Sequence, residues 1–293
     1  MVKRVLAAIA LGLLWFCSAY GETGGWSKPA DVLVYYGWVS SFNYHVNLWS
    51  NEAVSQDMEK YDIIVLGNGV ADPSHGDYAN ASWIIARIKV LNPSCVIFGY
   101  VTVNQKMNTW KKAVDDWVAI GAHGIFADEA GYDFGKTRDE FNARIDDVHG
   151  HGLIVMANAW HPEHVLGTED GVGGYYNSVH NPDEDPSSLN SNDYIYLESL
   201  AVNTAAYSSS GGYELRSQWL ARKATVEKLR QSFSVGFVGG CVISNTNTDA
   251  QKLFDFAYAS ATMLQLEAMG SSDVHYGASS AKVEFWERPG YLE

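Results

Sequence analysis

Cysteine is nearly absent from this chain: Cys17, Cys95 and Cys241 are the full complement in 293 residues. The first lies in an N-terminal segment expected to be removed, and the other two sit in apolar, strand-like runs, so a disulfide framework is excluded as the source of stability. Proline is also scarce, at 7 residues, while hydrophobic residues make up 47%. That balance rules out a disordered chain and supplies one sizeable core. Basic residues are outnumbered, with 20 Lys and Arg against 34 Asp and Glu. An acidic surface makes nucleic acid and anionic membranes poor partners, and its field draws in a cationic polymer.

Several signature motifs are missing too. No GxGxxG or GxxxxGK[ST] follows any apolar run, which removes the usual nucleotide cofactors of an open α/β sheet. No GxSxG is present to support acyl transfer. His161 and His164 in "HPEH" lack HExxH spacing, and "NPDEDP", Asn181 to Pro186, lacks EF-hand spacing. The expectation is therefore a protein with no cofactor and no metal. Asn80-Ala81-Ser82 is a lone glycosylation sequon.

What is present begins with a targeting signal. Lys3 and Arg4 precede an apolar stretch from Val5 to Phe16, and Ala19 and Gly21 fit a small-residue cleavage site. The stretch is too short to span a bilayer comfortably. Residues 1–21 are read as a signal peptide and 22–293 as the mature, secreted domain, with no stable membrane insertion after cleavage. Removing Lys3 and Arg4 and no acid takes the formal charge from -14 to about -16.

Beyond the signal, two textures alternate. Short apolar runs begin at Val32, Asp62, Val96, Gly124, Leu153, Asp193, Val235 and, less clearly, Ser272, where "SDVHYGAS" starts. Most are apolar throughout, as parallel strands buried on both faces are. Between them lie stretches of helical spacing: Ile84, Ile88 and Leu91; Trp110, Ala113, Val114 and Trp117; Phe141, Ile145 and Val148; Phe254, Ala257, Tyr258 and Ala261. Further helices are expected near 51–60 and 214–231, and 161–192 reads as a long irregular loop. Eight strands alternating with helices over about 270 residues predict a single (β/α)8 TIM barrel, with an open doubly wound sheet as the alternative.

In such a barrel the functional residues stand at the carboxyl ends of the strands. "GIFADEAGYDF" ends its run on Asp128 and Glu129, and "YIYLESL" ends on Glu198. Other runs finish with Tyr36 and Trp38, with Asn68, with Tyr100, and with Asn158 and Trp160. Two carboxyls close together at an apolar barrel mouth push one pKa upward, and glycoside hydrolysis needs one protonated and one ionised carboxyl. Aromatic faces stack on sugar rings while amides bond their hydroxyls. The structural alternative for the Asp128–Glu129 pair is a helix cap, a role also open to Asp133 or Thr137.

"GIFADEAGYD" and the Glu198 of "IYLESL" resemble the spherulin-4-like glycoside hydrolases and the related endo-α-1,4-polygalactosaminidase families. The resemblance implies a (β/α)8 barrel, secretion, and cleavage of galactosamine-containing exopolysaccharides, with Asp128, Glu129 and Glu198 as the active-site acids. Where many of those proteins carry Asn-Pro-Gly after the fifth strand, this chain has "ANAWHPEH", in which only Asn158 fits.

The combined expectation is a secreted endo-acting glycoside hydrolase on a partly cationic amino-sugar polymer. Glu198 is expected as general acid, Asp128 as nucleophile or base, and Glu129 as a group that orients the sugar or exchanges roles with one of them. Tyr36, Trp38, Asn68, Tyr100, Asn158 and Trp160 are expected to hold the sugar. The competing reading is a glycan-binding or self-assembling matrix protein that retains the barrel, and a metal-dependent hydrolase using His161 and His164 is a third. Oligomeric state is left open.

Overall fold

The structure is a computed structural model, and it describes residues 28–47, 50–167, 169–203, 211–276 and 283–290. The expected signal segment, 1–21, lies outside them. Eight parallel strands close into a barrel in sequence order: β1 (Ala30–Tyr35), β2 (Ile63–Leu66), β3 (Val96–Thr102), β4 (Gly124–Asp128), β5 (Ile154–Asn158), β6 (Tyr194–Leu197), β7 (Gly236–Val242) and β8 (Ala268–Ser272). The chain is a (β/α)8 TIM barrel, and the open-sheet alternative is excluded by the pairing of β1 with β8 at Ala30–Ala268 and Asp31–Met269.

Alternation along each strand sorts the core into two shells. Val32, Val34, Ile63, Val65, Phe98, Phe126, Met156, Tyr196 and Val238 fill the barrel interior. The residues alternating with them, among them Leu33, Ile64, Ile97, Ile125, Val155 and Phe237, face the helices. Those helices are α1 (Asn51–Met58), α2 (Tyr78–Leu91), α3 (Met107–Ala119), α4 (Arg138–Gly150), α5 (Glu163–Leu166), α6 (Asn177–His180), α7 (Arg216–Ser232) and α8 (Ala250–Met263). On α3 Trp110, Val114 and Trp117 are buried, as helical spacing predicts, and on α4 Phe141, Ile145 and Val148 are. None of the described helices is long and apolar enough to cross a membrane.

Two expectations need correction. The eighth strand is "AMGSS", which begins four residues before the expected Ser272, and Val274–Tyr276 is a 3-10 turn. The small residues that hid it have a steric cause. A Cβ on Gly270 would stand 1.9 Å from the Val32 carbonyl oxygen, so only glycine lets β8 lie this close to β1. Ser272 continues the closure, its hydroxyl donating to the Val34 carbonyl at 2.5 Å. The second correction concerns 161–192, which contains α5 and α6 rather than irregular chain throughout. Each is a single turn, too short for periodicity to reveal.

The Asn80 sequon is tied down on both sides. Its Nδ2 donates to Asp77 Oδ1 at 2.8 Å and its Oδ1 accepts from Asn51 at 3.0 Å.

Candidate active site

The site follows from the same two-residue alternation. Extending the inward positions one step up each strand gives Tyr36 above Val34, Tyr100 above Phe98, Asp128 above Phe126, Asn158 above Met156 and Glu198 above Tyr196. Thus the carboxylates that end apolar strands occupy the top layer of an otherwise apolar barrel. The layer below them carries several aromatic rings: Phe126 meets Tyr196 at 5.1 Å and reaches the Tyr100 ring above at 6.1 Å between centroids. A Cβ on Gly240 would fall 1.6 Å from Tyr196 Oη, so β7 leaves its inward space to that tyrosine.

Asn158 joins the acids. Its buried side-chain Nδ2 donates to Asp128 Oδ1 and to Glu198 Oε2, each at 2.9 Å. Two oxygens sharing one nitrogen at that length, along the ~120° between the hydrogens of an amide, stand about 5 Å apart. Asp128 receives more help than Glu198 does. Tyr100 Oη donates to its Oδ2 at 2.8 Å, and the Glu129 backbone N–H also bonds it.

Burial pushes the Asp128 carboxyl above its ordinary range, against the opposing pull of Tyr100, the Glu129 N–H and Asn158. Burial likewise raises Glu198, which Asn158 opposes and the Asp128 charge reinforces. Burial, with Asp128 as the next cause, holds the phenols of Tyr36 and Tyr100 well above their usual value, so both are hydroxyl donors at neutral pH. The two rings meet edge to face at 4.9 Å, and Tyr276 lies 5.7 Å from Tyr36.

Glu129 faces the same rim by a different route. Its parity would turn it outward, but a φ of 58° puts it in the left-handed region, where its Oε2 accepts from Thr102 Oγ1 at 2.5 Å. The capping role goes elsewhere: Thr137 Oγ1 accepts the Glu140 N–H and Glu140 Oε2 accepts the Thr137 N–H, a complete capping box at the start of α4. Asp133 instead sits 3.4 Å from His164 Nδ1.

No protein-family model matches the chain, and no curated protein does. Its likeness is to solved barrels. The glycoside hydrolase domain of PelA from Pseudomonas aeruginosa superposes with a TM-score of 0.50 at 12% identity, covering 84% of this chain and 100% of that one. A variant of that domain gives 0.47 at 15% identity over 87% of this chain and 100% of its own. A Pyrococcus horikoshii ribulose-1,5-bisphosphate carboxylase/oxygenase gives 0.48 at 9% identity over 84% of this chain and 52% of its own. At 12% identity the likeness shows the fold alone, and function rests on the site.

The expected sugar-binding residues divide. Tyr36, Tyr100 and Asn158 converge on the acids. Trp38 is exposed and packs on His75 at 5.4 Å, Asn68 is exposed in a left-handed turn after β2, and Trp160 is exposed at the edge of a cleft. That cleft, of about 350 Å³, runs between the chain following β5 and helix α7, and Glu198 is part of its wall. Sequence reasoning missed Thr102, which the inward parity of β3 would have found, and Tyr276, which belonged to a run taken for a strand. It also missed the pair of Glu214 and Arg222, whose guanidinium reaches Glu214 Oε1 at 3.1 Å and the Glu198 carbonyl at 3.4 Å.

Of the two histidines of "HPEH", whose rings lie 4.9 Å apart, His164 is tied to the backbone. His164 is buried, with Nδ1 accepting the Tyr132 N–H at 3.2 Å and Nε2 3.0 Å from the Val172 carbonyl. Asp183 and Asp185 of "NPDEDP" cluster with Asp139 near the surface, where burial is slight.

Proposed function

We propose that the chain is a secreted glycoside hydrolase cleaving a galactosamine-containing polysaccharide internally, with Glu198 as general acid and Asp128 as nucleophile. The observation that carries this reading is the single amide of Asn158 bonded to both carboxyls. With ideal amide geometry those two bonds imply a separation of about 5 Å, which supports the spacing of retaining glycosidases over the roughly 6.5–9.5 Å of inverting ones.

The unequal hydrogen bonding supports the division of labour. Asp128, with donors from Tyr100, Asn158 and the backbone, is the better stabilised anion. Glu198, with fewer donors and raised by burial and by Asp128, is the one that keeps a proton for the leaving oxygen. Once that oxygen departs, the deprotonated Glu198 takes a proton from water and frees the sugar from Asp128. Glu129, fixed by Thr102, is placed to bond a sugar hydroxyl.

The likeness to the PelA glycoside hydrolase domain agrees with this reading, as does an acidic chain acting on a partly cationic polymer. The test is release of oligosaccharides from partly deacetylated α-1,4-galactosamine polymer by the mature chain, beside Glu198→Gln. Release by the wild type and none by the variant supports hydrolysis. If neither cleaves while both bind, the binding-protein reading replaces it.

A further inference from the structure

We infer that the cleft beside Glu198 is the leaving-group subsite and that Glu163 makes it selective for a sugar carrying a free ammonium group. The inference rests on the hydrolase reading for its direction: the acid gives its proton to the departing oxygen, so the glycan held on that acid's side is the departing one. Glu198 contributes to the cleft wall, whereas Asp128 does not.

The wall has the parts a glycan subsite needs. Trp160, 65% exposed, stands at the edge as an indole surface on which a sugar face can stack. The volume of about 350 Å³ suits a short stretch of glycan. Three carboxylates line it, and they differ in their partners. Glu214 is neutralised by Arg222 at 3.1 Å and also accepts the Ala201 N–H at 3.2 Å, so it is committed to the fold. Glu198 is bound to Asn158. Glu163, the first residue of α5, has one hydroxyl donor, Thr225 Oγ1 at 3.1 Å, and no ion pair among the described residues. Lys228 on α7 feels the Glu163 charge but makes its ion pair with Glu169, at 2.8 Å. A half-buried carboxylate facing an open cleft, with no ion pair of its own among the described residues, favours an ammonium over an acetamido group.

Hydrolysis turns the leaving-group sugar into the new non-reducing end of the downstream fragment. The experiment therefore digests a galactosamine polymer of known, intermediate acetylation and reads the residue at each new non-reducing end by mass spectrometry. Wild type is expected to yield non-acetylated ends in excess of the polymer's composition by several-fold. In Glu163→Gln the ends are expected to fall toward that composition, and Trp160→Ala is expected to raise KM. Ends that mirror the polymer in the wild type, or an unaltered excess in Glu163→Gln, overturn the subsite.

A second measurement keeps the inference separate from the hydrolase reading: tryptophan fluorescence titrated with galactosamine oligomers and with their N-acetylated forms, in wild type, Trp160→Ala and Glu163→Gln. Quenching by the amine form that disappears with Trp160→Ala and weakens with Glu163→Gln supports the cleft even if nothing is cleaved. No quenching by either form overturns it.

Discussion

Asp128 and Glu198 come from the ends of β4 and β6, with a whole strand between them, yet both bond one atom, Asn158 Nδ2, at 2.9 Å. The strand between supplies that atom, so the acid spacing is set by barrel geometry rather than by flexible side chains. A donor that both acids accept from restrains each and fixes their separation.

Replacing Asn158 with Ala should therefore lower kcat by about 10²-fold, the cost of removing one preorganised donor from a reacting centre. Circular dichroism should show the barrel intact. A variant with near wild-type kcat would mean that the bridge is incidental.

Tyr100 donates to Asp128 and so favours its ionised form. In Tyr100→Phe the Asp128 carboxyl should titrate at higher pH. Because the nucleophile must be ionised, the acidic limb of kcat/KM should move to higher pH while the alkaline limb, set by Glu198, moves less. A shift of the acidic limb to lower pH would contradict the assignment.

Stability should show the opposite sign from most carboxylates. The folded protein holds both acids above their ordinary values of 3.8 and 4.5, so it binds protons more tightly than the unfolded chain. That contribution favours folding below the ordinary range and is lost as pH rises through the folded values, leaving the ionised pair a net burden at neutral pH. Asp128→Asn and Glu198→Gln should raise Tm at pH 7, by roughly 2–4 °C for each kcal/mol relieved, and the gain should vanish near pH 3. A lower Tm at pH 7 in both would show that the pair stabilises the fold.

Much of this was legible in the sequence because burial leaves a direct mark. Seven of the strands lie where the apolar runs are, and Tyr36, Tyr100, Asp128, Asn158 and Glu198 follow from their inward parity. The eighth strand was misplaced because close packing against β1 demands small residues, which carry no strand signal. Trp38 and Asn68 shared the rim in sequence order but lie in the connections beyond β1 and β2, where parity no longer fixes direction. The Glu214–Arg222 pair was invisible for another reason: it is assembled by the docking of α7 beside β6, a contact with no local pattern.

Gly270 makes the barrel's closure testable. In Gly270→Ala the new Cβ must displace the Val32 carbonyl, and destabilisation of about 1–3 kcal/mol is expected, read as a lower midpoint in urea. Gly135→Ala, at a turn with open space but a φ of 73°, should cost less, since only backbone strain opposes it. Equal midpoints for the two variants would remove the steric account of β8.

The anomeric configuration of the first product tests the central claim most directly. Acids about 5 Å apart on opposite sides of one bond require a glycosyl-enzyme intermediate on Asp128 and two inversions. NMR of the reducing-end proton during early turnover of an α-linked galactosamine oligomer should show the α-anomer first, with the β-anomer growing only as fast as mutarotation. Initial release of the β-anomer would contradict the account, because it requires a water between carboxyls that Asn158 holds too close for one.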